Sequence, residues 1–190
     1  MNITHEWQRG PELLRITGLD TKDAVTELSW MLPILDKPED TGTAKTPDGS
    51  PMKDNRGMFF SKIYTPEFAL ASPCSKICES IVEACKNLSY TPQSAFCAFY
   101  NVEGFNPLFS AYRNGDYYEA HRDQARLTLL LWLGDHNFTG GDLYLPDFDY
   151  TIPFEPDTAI VFPSHYRHEV TKVETEQEGF VRFVVSAFIS

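Results

Sequence analysis

Basic residues are in the minority, long apolar runs are missing, and cysteines are few. The 190 residues include 16 Lys or Arg against 27 Asp or Glu, a net charge of -11. Such a balance disfavours a surface that holds phosphates, so nucleic acid is not expected as a partner. No stretch approaches the roughly 18 apolar residues needed to cross a bilayer. The opening MNITHEWQRGPELLRI has neither the basic start nor the apolar run of a secretory signal. The expectation is a soluble, cytoplasmic protein with no membrane partner. Its cysteines are Cys74, Cys78, Cys85 and Cys97. Cys74 and Cys78 stand one helical turn apart, but no His or Cys pair with zinc-finger spacing completes a site. They read as free thiols, buried or half-buried, in a reducing compartment. Internal repeats and low-complexity tracts are also absent.

What is present suits one folded unit, residues 1–190, because 42% of the residues are hydrophobic and 14% aromatic. Residues 12–19 predict a strand. Asp20 or Thr21 can cap a helix whose apolar positions Ala24, Val25, Leu28 and Met31 recur at helical spacing, with Pro33 as its stop. Residues 36–57 hold three prolines, three glycines and almost no large apolar residue. A loop of that length is either a tolerated surface insertion or a functional lid. Residues 58–64 predict a strand, and Ser72-Pro73 opens a helix with Ile77, Ile81, Val82 and Cys85 on one stripe. Residues 94–101 and 108–113 predict two more strands with a turn at 104–107. From residue 94 on, short strands and turn signals alternate, which argues an all-β sandwich or barrel.

The chemistry gathers around Tyr112-Arg-Asn-Gly-Asp-Tyr-Tyr-Glu-Ala-His121-Arg122-Asp123. In an extended segment, side chains two apart share a side, so His121 and Asp123 can address one ion while Arg122 points away. A third donor lies 45 residues after Asp123, where an apolar run ends in His168. His165 is a nearby rival, although it follows Pro163-Ser164 in a turn-like stretch. Two histidines and one carboxylate leave one face of a metal open, the arrangement of non-haem Fe(II) oxygenases.

Further signals follow in order. They are the strand Arg126 to Leu133, the turn Gly140-Gly141-Asp142-Leu143, the sequence His168-Glu169-Val170, and Arg182 in the final apolar run. From Tyr112 to the C-terminus this order resembles the 2-oxoglutarate and Fe(II)-dependent dioxygenases, in particular the prolyl 4-hydroxylase-like branch. The resemblance implies a mainly β fold, a double-stranded β-helix (jelly roll) with supporting N-terminal helices. It implies His121, Asp123 and His168 as catalytic iron ligands, and Arg182 as the anchor of the 2-oxoglutarate carboxylate, with Tyr112, Tyr118 and Thr128 as further contacts. Asp123 matters here, since related halogenases lack the carboxylate. The implied cofactors are Fe(II), with 2-oxoglutarate and dioxygen as co-substrates and ascorbate as a candidate reductant.

The spacing from His168 to Arg182 is 14 residues, longer than usual in the family, and the excess falls in the acidic turn 174–179. By the same resemblance, residues 36–57 become a mobile loop that folds over a substrate, with 54–57 as its hinge. The implied substrate is a peptide or protein that contains proline. A small molecule such as a free amino acid is the alternative within the enzymes. A non-catalytic jelly-roll binding module is the alternative from another class, and such a module has no need of an open metal site.

Overall fold

Strand β6, Leu127–Leu133, is buried at every position, which is unusual for an antiparallel strand and is explained by what covers each face. Leu127, Leu129, Leu131 and Leu133 join a core under the helices, while Leu130 and Trp132 join a second core on the opposite side. The sheet that contains it is therefore the middle layer of the molecule. The structure, a computed structural model, describes residues 1–7, 10–35, 46, 48–50 and 52–190.

The chain opens with the hairpin β1, Asn2–Glu6, and β2, Leu13–Thr17. Helix α1, Lys22–Met31, follows. Next come β3, Arg56–Phe59, and helices α2, Pro66–Ala71, and α3, Pro73–Lys86. The remaining strands are β4, Phe105–Tyr112, β5, Tyr118–His121, then β6, β7, Leu143–Leu145, β8, Tyr150–Ile152, β9, Thr158–Pro163, β10, His168–Val170, and β11, Arg182–Ile189. Seven form one sheet in the order β1-β2-β9-β6-β11-β4-β3, and four form another, β5-β10-β7-β8. Every pairing is antiparallel. Two such facing sheets with helices behind the larger one are the expected jelly roll.

α1 and α3 lie on the outer face of the large sheet. Ala24, Leu28, Met31, Cys78, Ile81 and Cys85 share one core with Leu129, Val161, Val185 and Ala187. Ser72 caps α3 by accepting a hydrogen bond from the Ser75 amide at 3.2 Å, as its sequence predicts. Thr21 precedes α1 without making a side-chain cap, and its hydroxyl donates to Asp157 instead. Cys74, Cys78 and Cys85 are free and fully buried. Burial pushes their thiols up, those of Cys78 and Cys85 to about 12. Since the thiolate is the nucleophile, a thiol reagent is expected to modify only the half-buried Cys97 in the native protein. All four should react after denaturation, as mass spectrometry would show.

One predicted strand is not a strand, and another is cut short. Residues 94–101 form a 3-10 helix, Ala95–Asn101. At three residues per turn Phe96 and Phe99 fall on one side, and both are fully buried. Ser94 caps that helix through the Phe96 amide, and the Glu12 carboxylate accepts from Ser94 and from the Ala95 amide. Residues 58–64 are strand only to Phe59 and then turn through Phe60–Lys62. The turn expected at 104–107 is largely taken up by β4, which starts at Phe105.

Most of the expected loop 36–57 lies outside the described residues, so its role as a lid is not seen. Its C-terminal part is well defined. Lys53 pairs with Tyr118 in an isolated antiparallel bridge, flanked by Glu119 N–H to Met52 O at 2.7 Å and Asp54 N–H to Tyr117 O at 3.1 Å. Three residues later Arg56 pairs with Ala111 on β4. Residues 52–59 thus leave the edge of the small sheet and join the edge of the large one.

Candidate functional site

The two sheets enclose a cavity of about 630 Å³. Along β11 the inward positions are Arg182, Val184, Ser186 and Phe188, which line the cavity, while Phe183, Val185, Ala187 and Ile189 face the helices. This is the period of two read to its end. The acidic turn does not displace Arg182, which pairs in register with Tyr112.

His121 ends β5 and His168 begins β10, and the two are directly opposite across the small sheet. Opposed residues on one face of an antiparallel pair bring their side chains together. Asp123 lies two residues past the strand end, its amide tied to Ser164 O at 3.1 Å. The result is one cluster whose ligand atoms all lie within 4.8 Å of one another. His168 Nε2 is 3.4 Å from Asp123 Oδ2, and His121 Nε2 is 3.7 Å from Asp123 Oδ1.

The other ring nitrogens fix the tautomers. His121 Nδ1 is 2.8 Å from Glu119 O and His168 Nδ1 is 3.0 Å from Tyr166 O. A carbonyl only accepts, so each Nδ1 carries the proton and each Nε2 lone pair faces the centre. Burial, then the neighbouring His168, pulls His121 down to about 4, so it is a neutral donor at ordinary pH. Burial alone would push the Asp123 carboxyl up. The neighbouring His168, the hydrogen bond from Thr128 and the nearby His121 outweigh it, so the carboxyl is held below its usual range.

Thr128 corrects one expectation. It is fully buried and does not line the cavity; its hydroxyl donates to Asp123 Oδ2 at 2.7 Å and lies 2.8 Å from Ser164 Oγ. Ser164, read in the sequence as part of a turn, is also fully buried; its carbonyl accepts from the Asp123 amide and its hydroxyl meets that of Thr128. The rival His165 is exposed and contributes its carbonyl to Arg122 Nε at 2.8 Å. Arg122 also pairs with Asp147 at 3.1 Å, so it turns away from the cluster.

Deeper in the cavity Arg182 is 1% exposed, and its Nε and Nη1 have no hydrogen-bond partner. Its guanidinium lies between the rings of Tyr112 and Phe154, 4.9 and 4.8 Å from their centroids. Burial pulls it down to about 10, which leaves it charged at neutral pH. A buried cation with spare donors fits a carboxylate. The turn at Gly140-Gly141 packs on it. A Cβ on Gly140 would meet Lys172 O at 1.9 Å, and one on Gly141 would lie 3.1 Å from Arg182 Cδ. Both glycines have positive φ, so the turn and the close approach require them. Tyr118 stacks on His121, centroids 3.7 Å apart and planes 13° from parallel.

Three groups were not foreseen. Lys53 lines the cavity at 4% exposure. Asn55, two residues on, is fully buried with neither amide atom partnered, and the buried Trp132 Nε1 in the cavity wall is also without one. Composition marked residues 36–57 as loop, and no periodicity there points to an inward lysine or asparagine.

Comparisons agree with this geometry. No curated protein matches the chain. Its fold is similar to that of a prolyl-4-hydroxylase from Pseudomonas putida, at 14% identity and TM-score 0.61, over 93% of this chain and 91% of that one. A viral collagen prolyl hydroxylase from Paramecium Bursaria Chlorella virus-1, solved with 2-oxoglutarate, is similar at 14% and 0.60, over 93% and 94%. So is a prolyl hydroxylase from Trichoplax adhaerens in complex with a hypoxia inducible factor peptide, at 12% and 0.62, over 93% and 82%. At these identities the likeness concerns the fold. Residues 107–190 match the model of the 2OG-Fe(II) oxygenase superfamily. That segment, somewhat under half of the chain, contains the His121, Asp123 and His168 cluster and the buried Arg182, and members of that superfamily use Fe(II), 2-oxoglutarate and dioxygen.

Proposed function

We propose that this oxygenase hydroxylates a peptidyl proline, with His121, Asp123 and His168 as the iron ligands and Arg182 as the anchor of 2-oxoglutarate. The observation that carries the co-substrate assignment is the buried guanidinium whose Nε and Nη1 have no hydrogen-bond partner among the described residues, in the cavity of the ligand cluster. The donor set itself suits Fe(II), since two neutral imidazoles and one carboxylate leave the ion a net +1 charge and an open face for an anionic chelator. Once bound, the iron supplies the dioxygen activation that couples decarboxylation of 2-oxoglutarate to hydroxylation of a C–H bond.

The protein's part is orientation. Glu119 O and Tyr166 O hold each imidazole proton on Nδ1, Thr128 fixes the Asp123 carboxylate, and Ser164 holds the Asp123 amide and the Thr128 hydroxyl. Arg182, with Tyr112 beside it, receives the distal carboxylate at the dry end of the cavity, where a charge-assisted pair is strong. Ascorbate is the reductant of choice for keeping the metal ferrous in an assay.

Support for a proline target comes from the fold shared with prolyl hydroxylases, one of them solved with a peptide. The test is succinate formation with Fe(II), 2-oxoglutarate and oxygen, with and without a proline-rich peptide. Succinate that rises with peptide supports a peptidyl target. A slow, peptide-independent rate would replace it with a small-molecule substrate, such as a free amino acid.

Thr128→Val keeps the side-chain shape but leaves Asp123 with one fewer donor. Loss of such an outer partner typically costs 10–100-fold in metal affinity or activity. The expected result is weaker Fe(II) retention on anaerobic dialysis with 2-oxoglutarate affinity unchanged at saturating metal.

A further inference from the structure

Lys53 has no carboxylate partner among the described residues, although it is 4% exposed and lies in the wall of the cavity that holds the ligand cluster. Its place is set by the backbone. The segment 52–54 runs antiparallel to β5, so that Lys53 and Tyr118 face inward together while their neighbours Asp54 and Glu119 are exposed. The ammonium lies 5.5 Å from the Tyr118 ring centroid, and that ring stacks on His121. A cation is thus one aromatic ring away from the metal ligands. Burial pulls it down to about 8, the direction expected of an ammonium taken from water with nothing to replace the lost solvation.

The acidic group of the cavity is already engaged. Asp123 accepts from Thr128 and lies 3.4 and 3.7 Å from the ligand nitrogens of the two histidines, so it faces the metal position. On the reading above, the two carboxylates of 2-oxoglutarate go to Arg182 and to the metal. That leaves one buried cation in the cavity wall without an anion among the described residues, and an unpaired buried charge carries a cost that an anionic ligand would offset.

We infer that Lys53 receives a carboxylate of the substrate to be hydroxylated. The inference rests on the proposed function and narrows it, because the substrate must present an anionic group near the reacting carbon. A free amino acid offers its own carboxylate, and a peptide offers an acidic residue next to the target proline.

The experiment measures binding by calorimetry to anaerobic protein loaded with Fe(II) and 2-oxoglutarate, wild type beside Lys53→Met. The probes are free L-proline against L-prolinamide, a panel of other free amino acids against their amides, and proline-containing peptides with Glu or Gln beside the proline. The wild type should prefer the carboxylate member of at least one set by about 30-fold or more, the size expected for a desolvated charge pair. The set in which this occurs tells the free acid from the peptide. In Lys53→Met the preference should vanish while 2-oxoglutarate affinity stays as it was; Lys53→Arg, which keeps the charge, should retain part of it. Equal affinity for acid and amide throughout, or no binding of either, overturns the inference. So does a Lys53→Met protein whose main defect is towards 2-oxoglutarate. Failure of the underlying reading is separate, since wild-type protein would then not bind 2-oxoglutarate with Fe(II) at all.

Discussion

Asp123→Ala is expected to abolish succinate formation and iron retention together. With the carboxylate gone, the cluster offers two imidazoles and no charge, and the ion loses the ligand that Thr128 and Ser164 hold in place. Loss of an outer-shell partner already costs 10–100-fold in affinity, so loss of the ligand itself should exceed that range. The fold should survive. The hydroxyls of Thr128 and Ser164 bond each other at 2.8 Å, so Thr128's loss of its acceptor Asp123 is expected to cost on the order of 1–3 kcal/mol. Iron content after anaerobic dialysis, the melting temperature and the succinate rate read the three consequences separately. A folded Asp123→Ala protein that keeps iron and turns over at the wild-type rate would remove Asp123 from the ligand set.

Arg182→Met has an effect of similar size with an unusual sign in the free protein. The side chain is 1% exposed, its Nε and Nη1 make no hydrogen bond among the described residues, and the charge lies between two aromatic rings with Asp142 acting on it from further off. Desolvated cation–π contacts of this kind are worth about 2 kcal/mol each, while the effective penalty for burying an ion is several kcal/mol. The apo variant is therefore expected to melt higher than the wild type. The order reverses with co-substrate. Truncating one partner of a buried charge pair costs about 2–5 kcal/mol, so the variant's affinity for 2-oxoglutarate should fall by roughly 30-fold to several thousand-fold. Wild type at a hundred times its dissociation constant gains about 2.7 kcal/mol from the ligand, and the variant at the same concentration gains little. Arg182→Lys should not restore binding, because an ammonium lacks the two parallel donors of the guanidinium. Thermal melts of the three proteins, with and without 2-oxoglutarate and Fe(II), give the comparison. A wild type that melts higher than Arg182→Met in the absence of ligand would mean that Arg182 is a structural residue with a partner of its own.

Much of the fold and of the metal cluster is legible in the sequence, for a physical reason that also marks its limit. β6, β9 and β11 are apolar runs with period-two phase, so they identify the sheet and also the face on which Arg182 stands. His121 and His168 sit at strand ends, where local alternation and the family pattern agree. Where side-chain contacts from distant parts of the chain decide the outcome, local pattern misleads. Residues 95–101 have strand-like composition, yet Glu12 grips the segment's start and two phenylalanines at a spacing of three win a helical turn. Thr128 sits on a pocket-flanking strand and so points, by pattern, to co-substrate, but its partner Asp123 reaches back from five residues earlier. Lys53 could not be found by periodicity at all, since the residues before it carry none and its inward direction comes from a single bridge to Tyr118.

The position of β11 carries one more consequence. It is the last strand in chain order, yet it lies between β4 and β6 in the middle of the large sheet, bonded along its length to both. As the chain leaves the ribosome, β4 and β6 are made more than forty residues before the strand that joins them. During that interval each presents an open edge, which is a site of mispairing with other nascent chains. Such long-range pairing is also slow. Small deletions in β11 are thus expected to reduce the yield of soluble protein before any assay of activity is possible. Because Arg182 arrives on that same strand, its proposed role as the 2-oxoglutarate anchor implies that only chains that have closed the sheet recognise the co-substrate, which would then act as a selective stabiliser of finished molecules.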